Sequence, residues 1–186
     1  MATTGAYNTQ KIEIGAGNLQ ITPISDAGAA LTMFEIGGTL GAELTVTQEV
    51  LDVEVDQAFA PVIGFLTGEE GTFKITVLEQ QMSTIAVALG MIPDTEIYSQ
   101  PTYERVTFGG HGKARFCSLY YEVAKTYGTS KFWKLTLWRC RVTSGLALPF
   151  AKKEARKFDL TFKIYADSTR SNALGQLDRD HPSGAA

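Results

Sequence analysis

The stretch ELTVTQEVLDVEVD, residues 43–56, decides the fold. Polar Glu43, Thr45 and Thr47 alternate with apolar Leu44 and Val46, the period-two signature of a strand with one face against a core. Glu49 and Val50 continue the pattern, the phase shifts at Leu51, and Asp52, Glu54 and Asp56 then alternate with Val53 and Val55. Adjacent Val50 and Leu51 cannot face one side of a regular strand, so a bulge or bend is predicted there. The next alternating run is residues 72–78, with Thr72, Lys74 and Thr76 opposite Phe73, Ile75 and Val77. The intervening AFAPVIGFLTGEEG, residues 58–71, carries Pro61, Gly64, Gly68 and Gly71 and reads as a connection too long for a tight hairpin.

Outward from this pair the chain remains strand-rich. Residues 103–108, 115–123, 132–142 and 158–165 each read as strands, and in the last Phe158, Leu160, Phe162 and Ile164 form the core side. In FWKLTLWRCRV, residues 132–142, neither parity is cleanly apolar, as expected of a strand covered on one side by core and on the other by a partner. One helix is predicted over residues 80–89, where Met82, Ile85, Ala86 and Leu89 form a stripe. Gly90 is placed to end it and Pro93 to prevent its resumption. The last nineteen residues, 168–186, are polar and aperiodic, and read as an arm or a disordered tail. The class is therefore mainly β, in one domain of ordinary composition: 186 residues, 44% hydrophobic and 20% charged.

Charge is distributed unevenly. Residues 1–100 hold 13 acidic and 2 basic side chains, net −11; residues 101–186 hold 7 and 15, net +8. Either the two halves neutralise each other within one domain, or the subunit presents an acidic and a basic face suited to self-association. Lys152, Lys153, Arg156 and Lys157, beside Phe150 and Phe158, form the one basic cluster, a candidate for nucleic-acid or inter-subunit contact.

Nothing in the sequence assembles a catalytic centre, and the chain does not read as an enzyme. The glycine-rich stretches at 15–17 and 109–112 lack the spacing of a phosphate loop. Glu69-Glu70 reads as a solvated turn, and two histidines, His111 and His181, are too few for a metal site. Cys117 and Cys140 read as reduced strand residues rather than as a disulfide framework. The start, MATTGAYNTQKIEIG, has no secretory pattern, and no apolar run approaches the roughly 18 residues of a membrane span.

Taken in order, several of these segments resemble the major tail tube proteins of long, non-contractile-tailed bacteriophages. The resemblance begins at Gly17-Asn18-Leu19-Gln20-Ile21 and is closest over EVLDVEVDQAFAPVIGFLTGEEGTFKITVLE, residues 49–79. It continues through a helix ending Ala88-Leu89-Gly90 and resumes at CRVTSGLALPFAKKEARKFDLTFKIYAD, residues 140–167. It implies a β-sandwich, barrel-forming on assembly, with one short flanking helix and extended arms. The tail-tube domain would span residues 1–167, with 1–16 as an N-terminal arm. Residues 168–186 would be a C-terminal arm, disordered or against a neighbouring subunit.

The resemblance further implies homohexameric rings stacked into the tail tube of a virion, made in the bacterial cytoplasm and needing no cofactor, metal or membrane. Tape measure protein and then genomic DNA would occupy the lumen, with tail terminator and distal tail proteins at the ends. An acidic lining would repel DNA within a Debye length of about 8 Å, allowing its ejection. The candidates for that lining are Glu43, Thr45, Thr47, Glu49, Asp52, Glu54 and Asp56, with Lys74 opposed to such a role if it shares their face. The tube of a contractile tail or secretion system is an alternative with the same ring plan; a DNA-binding module using the basic half is another.

Overall fold

The long alternating stretch pairs with its successor to form the largest ladder of the protein. In the computed structural model, which describes residues 17–36, 39–53, 63–78, 81–91, 97–109, 115–124, 132–147 and 157–179, β3 (Thr39–Val53) runs antiparallel to β4 (Ile63–Val77) over fifteen residues each. The other strands are β1 (Gly17–Ile24), β2 (Phe34–Ile36), β5 (Ile97–Gln100), β6 (Tyr103–Val106), β7 (Phe116–Ala124), β8 (Phe132–Val142), β9 (Phe158–Ile164) and β10 (Gly175–Arg179). The chain is mainly β with one short helix, α1 (Met82–Ala88). Eight strands form one sheet in the order β2-β1-β7-β8-β9-β4-β3, with β10 added to β8, while β5 and β6 make a separate ribbon.

The sheet curls until its ends meet. β2 and β3 are terminal in the strand order yet only two residues apart in sequence. Thr39, at the start of β3, donates its hydroxyl to the Gly17 carbonyl on β1 at 2.7 Å, and both residues are buried. The closed-over face holds the core: Leu19 and Ile21 of β1, Phe73, Ile75 and Val77 of β4, and Leu160, Phe162 and Ile164 of β9, all inaccessible or nearly so. Phe73 packs its ring against Tyr121 and Phe162 at centroid distances of 5.7 and 6.4 Å. The parity expected of β9 is the one observed.

Helix α1 is shorter than the sequence predicts and is turned on its axis. The buried residues are Thr84, Ala86, Val87 and Ala88, whereas Met82, Ile85 and Leu89 of the expected stripe are only half-buried. Val87 and Ala88 join the core cluster, and the helix lies beside the β5–β6 ribbon. Its C-terminus closes as predicted. Gly90, at φ +75°, donates to Val87 O, and Met91 donates to Ala86 O, a Schellman motif at a C′ glycine.

Three expectations for strands are corrected. The connection expected at 58–71 is strand from Ile63 onward, because its glycines serve close packing rather than turns. A Cβ on Gly71 would lie 2.8 Å from Ile164 Cδ1 and 3.0 Å from its Cβ, while one on Gly68 or Gly64 would meet Glu49 or Asp52. In β8, the mixed parity arises from a bulge. Cys117 pairs with Cys140 but Leu119 with Leu137, so buried Leu135 and Leu137 are followed by buried Cys140.

The third concerns the tail, part of which lies on the sheet. Asp167 caps a 3-10 turn at Ser168–Arg170 by accepting from the Thr169 N–H and hydroxyl, which holds its carboxyl below the usual range. Ser171 and Asn172 then adopt left-handed φ values of 55° and 61°, and β10 pairs with β8.

The contrast between core and hairpin tip is measurable. Phe162→Ala should cost about 3–5 kcal/mol and Gly71→Val about 1–3 kcal/mol in denaturant unfolding. Phe65→Ala, on the exposed part of β4, should stay within about 0.5 kcal/mol of the parent.

Candidate functional site

The β3–β4 hairpin leaves the body of the protein halfway along its length. Among the described residues β9 supports β4 from Gly71 to Val77, and the segment 63–70 pairs with β3 alone. From Leu40 to Asp52 every residue of β3 is exposed. The projecting part spans eight residues of β4, roughly 27 Å at strand rise. Near its end Val50, Leu51, Phe65 and Leu66 are 55–58% exposed, with Leu44 and Val46 also open lower down. Val50 pairs with Leu66 and Leu51 with Phe65, so apolar side chains stand on both faces. Such a cluster at the end of an edge ribbon is the chemistry of a contact surface rather than of a solvated loop.

The polar candidates separate by strand parity. Glu43, Thr45, Thr47 and Glu49 share one face of β3. The register shift expected at Val50/Leu51 falls one residue earlier, between Glu49 and Val50, and its extra residue is Thr67 on β4. Because β3 itself gains no residue there, its alternation runs on and puts Asp52 with Val50 on the other face. A side chain at Gly64 would meet both Val50 and Asp52, as this assignment requires. Lys74 pairs with Glu43 across the ladder and so shares the Glu43–Glu49 face. On that face Glu70 accepts from Lys163 Nζ at 3.1 Å, which raises the lysine above its ordinary value. Glu54 and Asp56 lie outside the described residues, as do Lys152, Lys153 and Arg156; Lys157 is exposed just before β9. Glu69 and Glu70, expected in a turn, are strand residues.

A second feature escaped the sequence reading. Behind the bulge of β8, Arg139 and Arg141 lie on the face opposite Cys140, with their guanidinium carbons 4.3 and 4.5 Å from the centroid of the Phe116 ring. With Arg115, Asp26 and Asp167 they line an open cleft of about 400 Å³. The available signal was WRCR, residues 138–141: two arginines interrupting an apolar strand.

Among the described residues no group of three or more His, Cys, Asp or Glu could hold a metal ion, and no helix is long and apolar enough to cross a membrane. Cys117 and Cys140 are buried free thiols at paired positions of β7 and β8. Burial pushes the Cys117 thiol up to about 12 and raises that of Cys140 too, with Cys117 adding to the latter.

No protein-family model matches the chain, and no curated protein is similar to it in sequence. Among solved structures it is similar to a chain from "Virion of native gene transfer agent (GTA) particle", at 12% identity and TM-score 0.41, covering 88% of this chain and 95% of that one. It is likewise similar to one from "Tail of empty GTA particle computed with helical refinement, C6 symmetry", at 12% identity and TM-score 0.42, covering 88% and 96%. At such scores these are distant likenesses of chain course.

The thiols yield a direct test. Neither cysteine should react with an aromatic disulfide reagent at pH 8 in the native protein, and both should react within minutes in denaturant. Titration of free thiols checks this.

Proposed function

We propose that this chain is a structural, self-assembling protein, the subunit of a phage-type tail tube built from stacked hexameric rings. The observation that supports it is the projecting β3–β4 ribbon, with an edge strand of fifteen residues and apolar side chains on both faces of its end. An edge that long invites pairing with another chain, and a closed ring of subunits satisfies it. The sequence resemblance over residues 17–167 supports the same reading and specifies the non-contractile tail.

In this assembly the Glu43–Glu49 face of β3 lines the bore. Lys74 offsets Glu43 and Lys163 offsets Glu70, which leaves Glu49 and Asp159, the latter paired across from Thr76, as the excess carboxylates of that face among the described residues. A duplex passing through meets threonine hydroxyls and a weak negative potential rather than a stripe of cations, so it slides without the adhesion that counterion release produces. Asp52, on the other face, belongs to contacts between subunits. Tape measure protein and DNA occupy the bore in turn, and terminator and distal tail proteins cap the tube.

Size-exclusion chromatography and negative-stain electron microscopy of the concentrated protein test this. Hollow rings or tubes with six-fold end views are expected. A monomer at the highest soluble concentration that binds duplex DNA with a steep salt dependence would overturn it in favour of a nucleic-acid module. Leu51→Glu with Phe65→Glu should leave the melting temperature nearly unchanged. The same pair should weaken assembly by about 2 kcal/mol or more, roughly thirtyfold.

A further inference from the structure

We infer that the arginine-lined cleft on the outer face of β7 and β8 is a carboxylate receptor, and that it takes the Asp52 side chain from the β3–β4 hairpin of a second copy of this chain. The inference rests on the self-assembly reading and adds a specific pair of partners to it.

The cleft is built to present guanidinium edges. Arg139 and Arg141 both stack on Phe116, whose ring is in turn held edge-on by Tyr165 at a centroid distance of 5.3 Å. Stacking occupies the planar face of a guanidinium and leaves its N–H edge for an acceptor in the same plane, the geometry of a bidentate carboxylate. Arg141 Nε is buried and has no hydrogen-bond partner among the described residues. A buried donor of that kind is costly until an acceptor reaches it.

The charge of the lining selects a single acid. Arg115 is paired with Asp26, and Asp167 lies in the fields of Arg139 and of Arg170 at the rim. Three arginines and two aspartates leave the lining with one net positive charge. That suits one carboxylate. A nucleic-acid backbone, with a charge every roughly 1.7 Å of duplex, calls for a stripe of cations instead.

The hairpin supplies the matching chemistry. Asp52 has no cation within ion-pair distance among the described residues, and it stands over Gly64 of β4. It is next to the apolar end of the ribbon, while the cleft adds Ile24, Phe116 and Trp138 to its polar groups. A carboxylate flanked by apolar side chains thus meets paired guanidiniums flanked by apolar walls, a complementarity that fixes orientation as well as attraction.

Charge exchange in the full-length protein tests the pairing. Asp52→Lys changes only an exposed position. It should raise the concentration needed for assembly, read by sedimentation velocity, by on the order of tenfold or more. Arg139→Glu with Arg141→Glu should do the same, with folding checked by circular dichroism. The three substitutions together should return assembly to within about threefold of the parent, as a double-mutant cycle on a direct pair requires.

An unchanged assembly of the lysine variant, or no recovery in the combination, overturns the inference while the self-assembly reading stands. A parent protein that never assembles overturns both. Salt-sensitive binding of a labelled duplex by the parent, lost in the arginine variant, assigns the cleft to phosphate and likewise overturns the carboxylate receptor.

Discussion

β4 is paired along its whole length on one side and along only half of it on the other, and the rest of the structure depends on that inequality. Where β9 lies beside it, from Gly71 to Val77, β4 delivers Phe73, Ile75 and Val77 into the core. Above Gly71 nothing but β3 supports it among the described residues, and an isolated two-stranded ribbon is at best marginally stable in water. The ribbon nevertheless carries Val50, Leu51, Phe65 and Leu66 in the open. Burying even one such side chain is worth about 1.5–3 kcal/mol, so association with another chain would stabilise what folding alone leaves exposed.

The body of the protein is arranged so that this ribbon can project. Curling of the sheet brings β2 and β3 together, and the Thr39–Gly17 hydrogen bond fixes the root of the hairpin against β1. The ladder beside β8 is shared in an unusual way. β9 occupies its lower part, the chain makes an excursion through the Asp167-capped turn, and β10 returns to occupy the upper part. That excursion supplies Asp167 and Thr169 to the cleft wall, while the β8 bulge sets Trp138, Arg139 and Arg141 along it.

Much of this was legible in the residues. The alternation of residues 43–53, the buried parity of Leu160, Phe162 and Ile164, the limits of β8 and the role of Gly90 follow from period and capping chemistry, which are local. What was missed depends on a neighbour. Gly64, Gly68 and Gly71 look like turn residues until Asp52, Glu49 and Ile164 are seen above them. β10 has one apolar side chain in five, Leu177, and that one is exposed, so backbone pairing rather than pattern places it. The cleft was invisible for the same reason: Asp26, Phe116, Arg141 and Asp167 come from four separate parts of the chain. The sequence correctly anticipated a register irregularity near Val50 but could not say which strand holds the extra residue, since that is a property of the pair.

The hairpin contains two such irregularities on opposite strands: Gly41, at φ +66°, is extra in β3, and Thr67 is extra in β4. Between its root and its end, therefore, the ribbon changes phase twice, each time because the strand holding the extra residue breaks its own alternation while its partner keeps it. Length in this element is consequently quantised. Adding or removing a residue pair from each strand would move the apolar end nearer or farther and preserve its faces. A single residue gained or lost in β3 would exchange the Glu43–Glu49 row with the Leu44–Val50 row over everything beyond it. Relatives of this protein could vary the reach of the ribbon freely, but only in even steps.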